Sequence, residues 1–196
     1  MLGVGNRLLG NFETSLDYCN AWLALSLKKY GENHSSTSNA YRELGNIYLD
    51  MSKVDEAIEY LNKSVNIARK LPDVSRDDLV IAYCDLGQAY HRSGKYAEAL
   101  ESLQKANEIS EIENLFMPEI IQLIGRVYRD TRDTARALKF FLKALQDQKE
   151  KDHLEAASIY IDIAQVYQIL QDPMEALLYL INAWRSKRII TKMLKP

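Results

Sequence analysis

The side chains able to do chemistry are few and scattered. Histidines stand at 34, 91 and 153 and cysteines at 19 and 84, each pair separated by long stretches of chain. A metal site needs three or four ligands at short, repeated spacings, and none of these residues provides one. Nucleophilic catalysis needs a base within hydrogen-bond reach of the nucleophile. Only Cys84 and His91 share a helical face, two turns apart. A redox role there would require a lowered thiol pKa, and a plain small residue is the simpler reading. There is no phosphate-cradling glycine loop, no nucleophile elbow and no paired carboxylate motif. The sequence predicts a chain that is not an enzyme and carries no cofactor and no metal.

The chemistry that is present is that of recognition. Amides both donate to and accept from a peptide main chain, and a guanidinium can hold a carboxylate with two bonds. Such side chains recur at helical spacing in four stretches: Asn39, Arg42, Glu43, Asn46 and Asp50; Cys84, Asp85, Gln88, His91 and Arg92; Glu119, Gln122, Arg126, Arg129 and Asp130; then Ile161, Asp162, Gln165 and Gln168. We take Asn39, Arg42, Asn46, Cys84, Gln88, His91, Arg92, Gln122, Arg126, Arg129 and Gln165 as the expected lining of a groove that binds a partner. Arg42 with Asn46, and Arg126 with Arg129, are the expected carboxylate clamps. For any one residue the opposing reading is a solvated helix face with an internal ion pair, such as Arg126 with Asp130 four residues on.

What must position these residues is a repeat. The phrase Leu44-Gly45-x-x-Tyr48 returns as Leu86-Gly87-x-x-Tyr90, Ile124-Gly125-x-x-Tyr128 and Ile163-Ala164-x-x-Tyr167. Nine residues after each Tyr comes Ala57, Ala99, Ala137 or Ala176, and seven further on Ser64, Ala106, Ala144 or Ala183. Small residues at fixed stations mark close helix crossings. Between Tyr and Ala lie turn signals, among them Ser93-Gly94-Lys95 and Asp172-Pro173, the latter a cap followed by proline at the first helical position. After each Ala the apolar spacing is helical, as in Ala99, Leu100, Leu103, Ala106 and Ile109.

The order of bulky residue, Leu, Gly, Tyr, Ala, large residue and Ala resembles the tetratricopeptide repeat. Its first station is filled by Tyr41, Tyr83, Ile121 and Tyr160, and its later large one by Leu61, Leu103, Phe141 and Leu180. Successive motif tyrosines are 42, 38 and 39 residues apart, longer than the family's spacing of about 34; part of the excess falls in connections such as Lys70-Leu71-Pro72-Asp73. Extending the register backward matches Leu2-Gly3, Gly10, Phe12 and Ser15 to Leu86-Gly87, Gly94, Tyr96 and Ala99. The stretch from Gly10 through Leu25 to Thr37 resembles the long repeats of kinesin light chains and nephrocystin-type proteins.

The resemblance implies an all-α, right-handed superhelical solenoid of antiparallel helix pairs with four full repeats and a partial N-terminal one. The expected division is a single domain over 1–196, with units near 1–30 (partial), 36–70, 77–112, 117–150 and 154–190, as a fragment of a longer protein. It also implies a non-enzymatic scaffold or adaptor whose groove takes a peptide or helical segment of a protein. Alternatives are a ligand-sensing regulatory domain of the peptide-receptor type and a localisation or assembly domain of a larger protein. Some members of the family grip the acidic tail of heat-shock chaperones, and Arg42 and Asn46 match half of that clamp. Asp85 and Glu119 stand where its Asn and Lys belong, which argues against a chaperone-tail adaptor.

Composition agrees with this direction. With 47% hydrophobic residues the chain can bury a continuous seam, and a net charge of −2 gives no general attraction to nucleic acid or anionic lipid. No apolar run approaches the roughly 20 residues of a membrane span, so neither nucleic acid nor membrane insertion is expected. Two cysteines and the lack of a secretory leader point to the reducing cytoplasm, and the kinesin-like stretch to cytoskeletal or ciliary assemblies. Exposed apolar end faces would favour self-association. The run Arg185, Lys187, Arg188, Lys192 and Lys195 is expected to complement a helix C-terminus. Trp22, at a station held elsewhere by Ser or Ala, is expected to pack in the core through a wider first crossing.

Overall fold

Each stretch with a 3.6-residue apolar rhythm is a helix in the computed structural model, which describes residues 11–71, 75–115, 117–148 and 153–193. Its nine described helices are α1 (Phe12–Tyr30), α2 (Ser35–Asp50), α3 (Val54–Ala68), α4 (Arg76–Arg92), α5 (Tyr96–Ile112), α6 (Pro118–Asp130), α7 (Thr134–Gln148), α8 (His153–Ile169) and α9 (Pro173–Met193). Among the described residues there is no strand. The earlier helix expected around Leu2-Gly3, the connection at Pro72-Asp73 and the last residues Leu194 and Lys195 lie outside the described residues.

The helices gather into two compact units, Met1–Leu115 and Phe116–Pro196. In the first, α2 packs on α3 and α4 on α5 as antiparallel pairs, α1 packs on α2, and α3 joins the pairs by packing on α4. In the second, α6 with α7 and α8 with α9 form the pairs, joined by α7 on α8. The first helices of successive pairs also touch, α2 with α4 and α6 with α8.

The motif glycines sit where the helices of a pair cross. A Cβ on Gly45 would lie 2.5 Å from Leu61 Cγ, one on Gly87 2.7 Å from Leu103 Cγ, and one on Gly125 2.7 Å from Phe141 Cε1. Leu61, Leu103 and Phe141 are fully buried, and so are Ala57, Ala99 and Ala137 beside them. The last pair departs from this: Ala164 replaces glycine, and the large residue Leu180 is 39% exposed. The copy that carries a Cβ at the crossing is thus also the one whose large side chain faces outward.

A second regularity is aromatic. Tyr48 stacks on Tyr60 with ring centroids 5.3 Å apart, Tyr128 on Phe140 at 5.5 Å, and Tyr167 on Tyr179 at 5.5 Å. Each ties the end of a first helix to its second helix, and burial of the rings holds the Tyr60 and Tyr179 hydroxyls above the usual tyrosine range. The turns between paired helices also repeat. The fourth residue past each motif Tyr is left-handed, with φ of 61° at Ser52, 75° at Gly94, 66° at Arg132 and 59° at Gln171. The next residue's N–H closes onto the motif tyrosine's carbonyl, for example Lys95 N to Tyr90 O at 3.0 Å, which is a Schellman ending. Asp172 then caps α9 by accepting from Glu175 N at 3.1 Å, with Pro173 as its first residue.

Candidate functional site

Helix α2 begins behind a histidine. His34 Nδ1 accepts from Ser36 N at 3.0 Å, and its ring stacks on Tyr30 at 4.1 Å, which accounts structurally for one of the three histidines. From that start the 3.6-residue turn carries Asn39, Arg42, Asn46 and Asp50 along one side. Opposite them α4 presents Asp85. Asn46 Nδ2 donates to Asp85 Oδ2 at 2.9 Å, and Arg42 Nη1 lies 3.5 Å from the same oxygen. Arg42 Nη2 is 3.6 Å from Glu43 Oε1. Burial pushes the Asp85 carboxyl above the usual range, opposed by the Asn46 hydrogen bond and the Arg42 charge, with Glu43 adding to the push. Arg42 Nε and Glu43 Oε2 are buried with no hydrogen-bond partner.

The second unit repeats this arrangement more densely. Asp162 of α8, 4% exposed, accepts Gln122 Nε2 at 2.7 Å and Arg126 Nε at 2.8 Å on Oδ2, and Arg129 Nη1 at 2.8 Å on Oδ1. Gln122 also donates to Ser158 Oγ at 3.0 Å, and Arg129 reaches Gln165 Oε1 and, through Nε, Asp130 Oδ1 at 2.8 Å. The opposing reading within α6 paired Arg126 with Asp130; Arg129 Nε lies 2.8 Å from Asp130 Oδ1, and Arg126 reaches Asp162 of the next helix pair.

The two networks occupy the same stations. Arg42 and Gln122 each stand two residues before the motif Leu or Ile, and Asn46 and Arg126 two after it. Asp85 and Asp162 each stand one before the next motif. Amide and guanidinium have traded places while the carboxylate stayed. At the third copy the residue before the motif is Leu123, not an aspartate. The side chains expected to clamp a partner's carboxylate are engaged with the chain's own Asp85 and Asp162. Sequence reasoning placed Asp85 and Asp162 on the groove without giving them this role; the signal available was an aspartate immediately before two of the four motifs.

The other groove candidates are differently placed. Gln88, Arg92 and Gln165 are exposed, and Asn39 and Cys84 are half-buried. The His91 ring tilts onto Tyr96 with centroids 5.9 Å apart. Arg126 keeps 34% of its side chain exposed despite its bond to Asp162. Trp22 is half-buried rather than enclosed: its indole donates to Ser36 Oγ at 3.1 Å, and Ser36 pairs with the buried Ser26 at 2.8 Å, small residues that make room for it. Cys19 lies in the core with Leu44 and Ile47. Arg185 is exposed; the remaining side chains of the basic run, and that of His153, lie outside the described residues. Among the described residues no group of three or more His, Cys, Asp or Glu could hold a metal ion, and no helix is long and apolar enough to cross a membrane.

Comparison with known proteins adds three findings. A family profile described as tetratricopeptide repeat matches residues 2–70 and 36–112, and a second of the same description matches 118–146. No curated protein matches the sequence. Among solved structures, BtubC (BKLC) from P. vanneervenii is similar at 17% identity and a TM-score of 0.82, over 100% of this chain and 80% of that one. A putative kinesin light chain from Podosopora anserina, with nearly identical TPR-like repeats, is similar at 19% identity and 0.76, over 100% and 94%. The apo form of RapI is similar at 17% identity and 0.83, over 97% and 69%. At these identities the likeness is one of fold.

Proposed function

Because the chain belongs to the tetratricopeptide repeat family, whose members generally bind proteins, we propose that it is a non-enzymatic scaffold or adaptor. Its ligand is a peptide or helical segment of a partner protein, bound on the first-helix face of each unit. The observation that supports this reading is the way Asp85 and Asp162 hold the recognition side chains in place. Arg126 spends its Nε on Asp162 and still presents a third of its side chain to solvent. Donors fixed before binding lose less entropy when a ligand arrives, which is the advantage of a preorganised site. The exposed Gln88, Arg92 and Gln165 supply further main-chain contacts, and Arg92 and Arg126 favour a ligand with carboxylates. The working location is the cytoplasm, in cytoskeletal or ciliary assemblies, supported by the kinesin-like first repeat. Self-association through α9 is part of the same reading, supported by its exposed apolar residues.

The test is a photo-crosslinking residue placed at Gln88 or Gln165, against the same residue at Glu108 or Lys139 on the second helices. One partner protein crosslinked from the first-helix positions and not from the second-helix positions is the expected result. Adducts formed only from Glu108 or Lys139 would sink the reading.

A further inference from the structure

The aromatic ladder has one missing rung. In the pair α2 and α3, the Tyr60 ring sits 5.3 Å from Tyr48 and 6.2 Å from Tyr41, with Lys63 Nζ 5.2 Å above it. In α8 and α9, Tyr179 repeats this, 5.5 Å from Tyr167 and 6.2 Å from Tyr160. In α6 and α7 the ring is Phe140. The station is three residues after the crossing alanine, and in α4 and α5 it holds Ser102. Everything around it is otherwise kept. Tyr83 and Tyr90 stand where Tyr41 and Tyr48 do, and Lys105 where Lys63 does, 6.0 Å over the Tyr83 ring and paired with Glu101 as Lys63 is with Glu59. Where the ring is lacking there is an open cavity of about 160 Å³ lined by Tyr83, Leu86, Tyr90 and Val65 and by polar side chains, Arg69, Glu98, Ser102 and Lys105 among them.

We propose that this cavity is a docking site for an aromatic side chain of a partner protein, which inserts as the missing rung. The size fits one ring, since an engineered cavity of about 150 Å³ takes benzene. The walls fit as well: Tyr83 and Tyr90 offer faces at the station where the other copies hold a ring at stacking distance, and such pairs favour offset stacks with centroids about 4.5–7 Å apart. Asn62 Nδ2 holds the Tyr90 hydroxyl at 3.1 Å and fixes that wall. Lys105 supplies the charge complement, because an ammonium is attracted to the electron-rich face of a ring, and its counterpart Lys63 already sits over one. The site is separate from the proposed peptide groove. Tyr83, Leu86 and Tyr90 lie on one side of α4, and Asp85, Gln88 and Arg92 on the other.

The experiment is an NMR titration of the full chain, observing Val65 and Leu86 methyls, with three probes: the blocked pentapeptide Gly-Gly-Tyr-Gly-Gly, its Gly-Gly-Leu-Gly-Gly counterpart and 4-methylphenol. The tyrosine peptide is expected to shift both methyls at millimolar concentration and the leucine peptide to leave them unmoved. Ser102→Tyr supplies the rung from within, so it is expected to abolish the shifts and raise Tm, while Ser102→Ala keeps the site. Lys105→Gln is expected to weaken binding about 2–5-fold. Binding of 4-methylphenol without the tyrosine peptide would overturn the proposal, since the mouth would then exclude a polypeptide. Equal response to the leucine peptide would overturn it too, as would undiminished binding in a folded Ser102→Tyr variant. Should Ser102→Tyr fail to fold, Ser102→Phe and the Lys105→Gln affinity decide the matter, and unchanged affinity in Lys105→Gln with no stabilisation by Phe counts against it.

Discussion

The Nε of Arg126 donates to Oδ2 of Asp162, 36 residues further along the chain, at 2.8 Å. That bond, with those from Gln122 and Arg129, closes one helix pair onto the next through a carboxylate that is 4% exposed. Removing the acceptor takes a charged partner from Arg126 and Arg129 together, while Gln122 keeps Ser158 and Arg129 keeps Gln165 and Asp130. Asp162→Ala is therefore expected to cost about 1.5–3 kcal/mol, the range for hydrogen bonds to a charged group, because Arg126 is a third exposed and Arg129 keeps Asp130. Gln122→Ala, which leaves the ion pairs standing, is expected to cost about 1 kcal/mol. Urea titrations followed by circular dichroism measure both, and equal effects would mean that the network does not act through its charge.

Asp85 is expected to behave in the opposite sense. Its carboxyl is raised by burial, so in the pH interval between its ordinary and its folded pKa the folded chain binds more of this proton than the unfolded chain does. The contribution of this group is then fully present below the ordinary carboxylate pKa and is lost as pH rises through the elevated folded value. Neutralising it should help most at neutral pH. Asp85→Asn is expected to match or exceed the wild type in Tm at pH 7, with its advantage shrinking as pH falls towards about 4.5. A variant that is worse at pH 7 and improves in relative terms with acidification would fit neither burial nor this sign.

The two kinds of glycine should respond differently to the same change. Gly87 has room problems: a Cβ meets Leu103 at 2.7 Å, so Gly87→Ala is expected to cost about 1–3 kcal/mol. Gly94 has open space but φ of 75°, so Gly94→Ala is expected to cost about 1 kcal/mol and Gly94→Asn less, since Asn tolerates that conformation. Arg132 occupies the equivalent turn at 66° with a side chain, and Arg132→Gly is expected to raise stability by about 0.5–1 kcal/mol. Melting temperatures of the four variants rank these effects directly.

Helix α9 exposes Met174, Leu177, Leu178 and Ile181 at 39–75%, with Trp184 at 58%. Apolar area of this kind in contiguous stretches favours association. The chain is expected to show a concentration-dependent mass in sedimentation, and Leu177→Glu with Ile181→Glu to reduce it to the monomer. A monomeric wild type at hundreds of micromolar would remove self-association from the proposed function.

The repeat could be read from the sequence because its stations are steric. A glycine pressed against Leu61, Leu103 or Phe141 admits no substitute without movement, so the residue type records the geometry. The groove was legible only as a row of polar positions. Which donor met which acceptor depends on the offset between α2 and α4, or α6 and α8, and that offset is a tertiary quantity set by how the pairs nest; hence the only internal partner weighed for Arg126 was Asp130 on its own helix, and Asp162 on the next was not foreseen. The exposure of Leu180 was illegible for a similar reason, because its residue type fits the core station. The empty rung at Ser102 was written in the register all along, but an absent ring announces itself only when the rings at the other three copies are seen to stack.

The bond between Trp22 and Ser36 has a consequence for how the molecule can be watched. The two tryptophans fall one in each compact unit, Trp22 in Met1–Leu115 and Trp184 in Phe116–Pro196. One is half-buried with its indole anchored on α2, the other 58% exposed. The chain thus carries a built-in optical label for each half, with different emission colour in the folded state and a common one after melting. Replacing either by phenylalanine turns fluorescence into a single-unit reporter, so that cooperative and stepwise unfolding become distinguishable by eye in two overlaid curves.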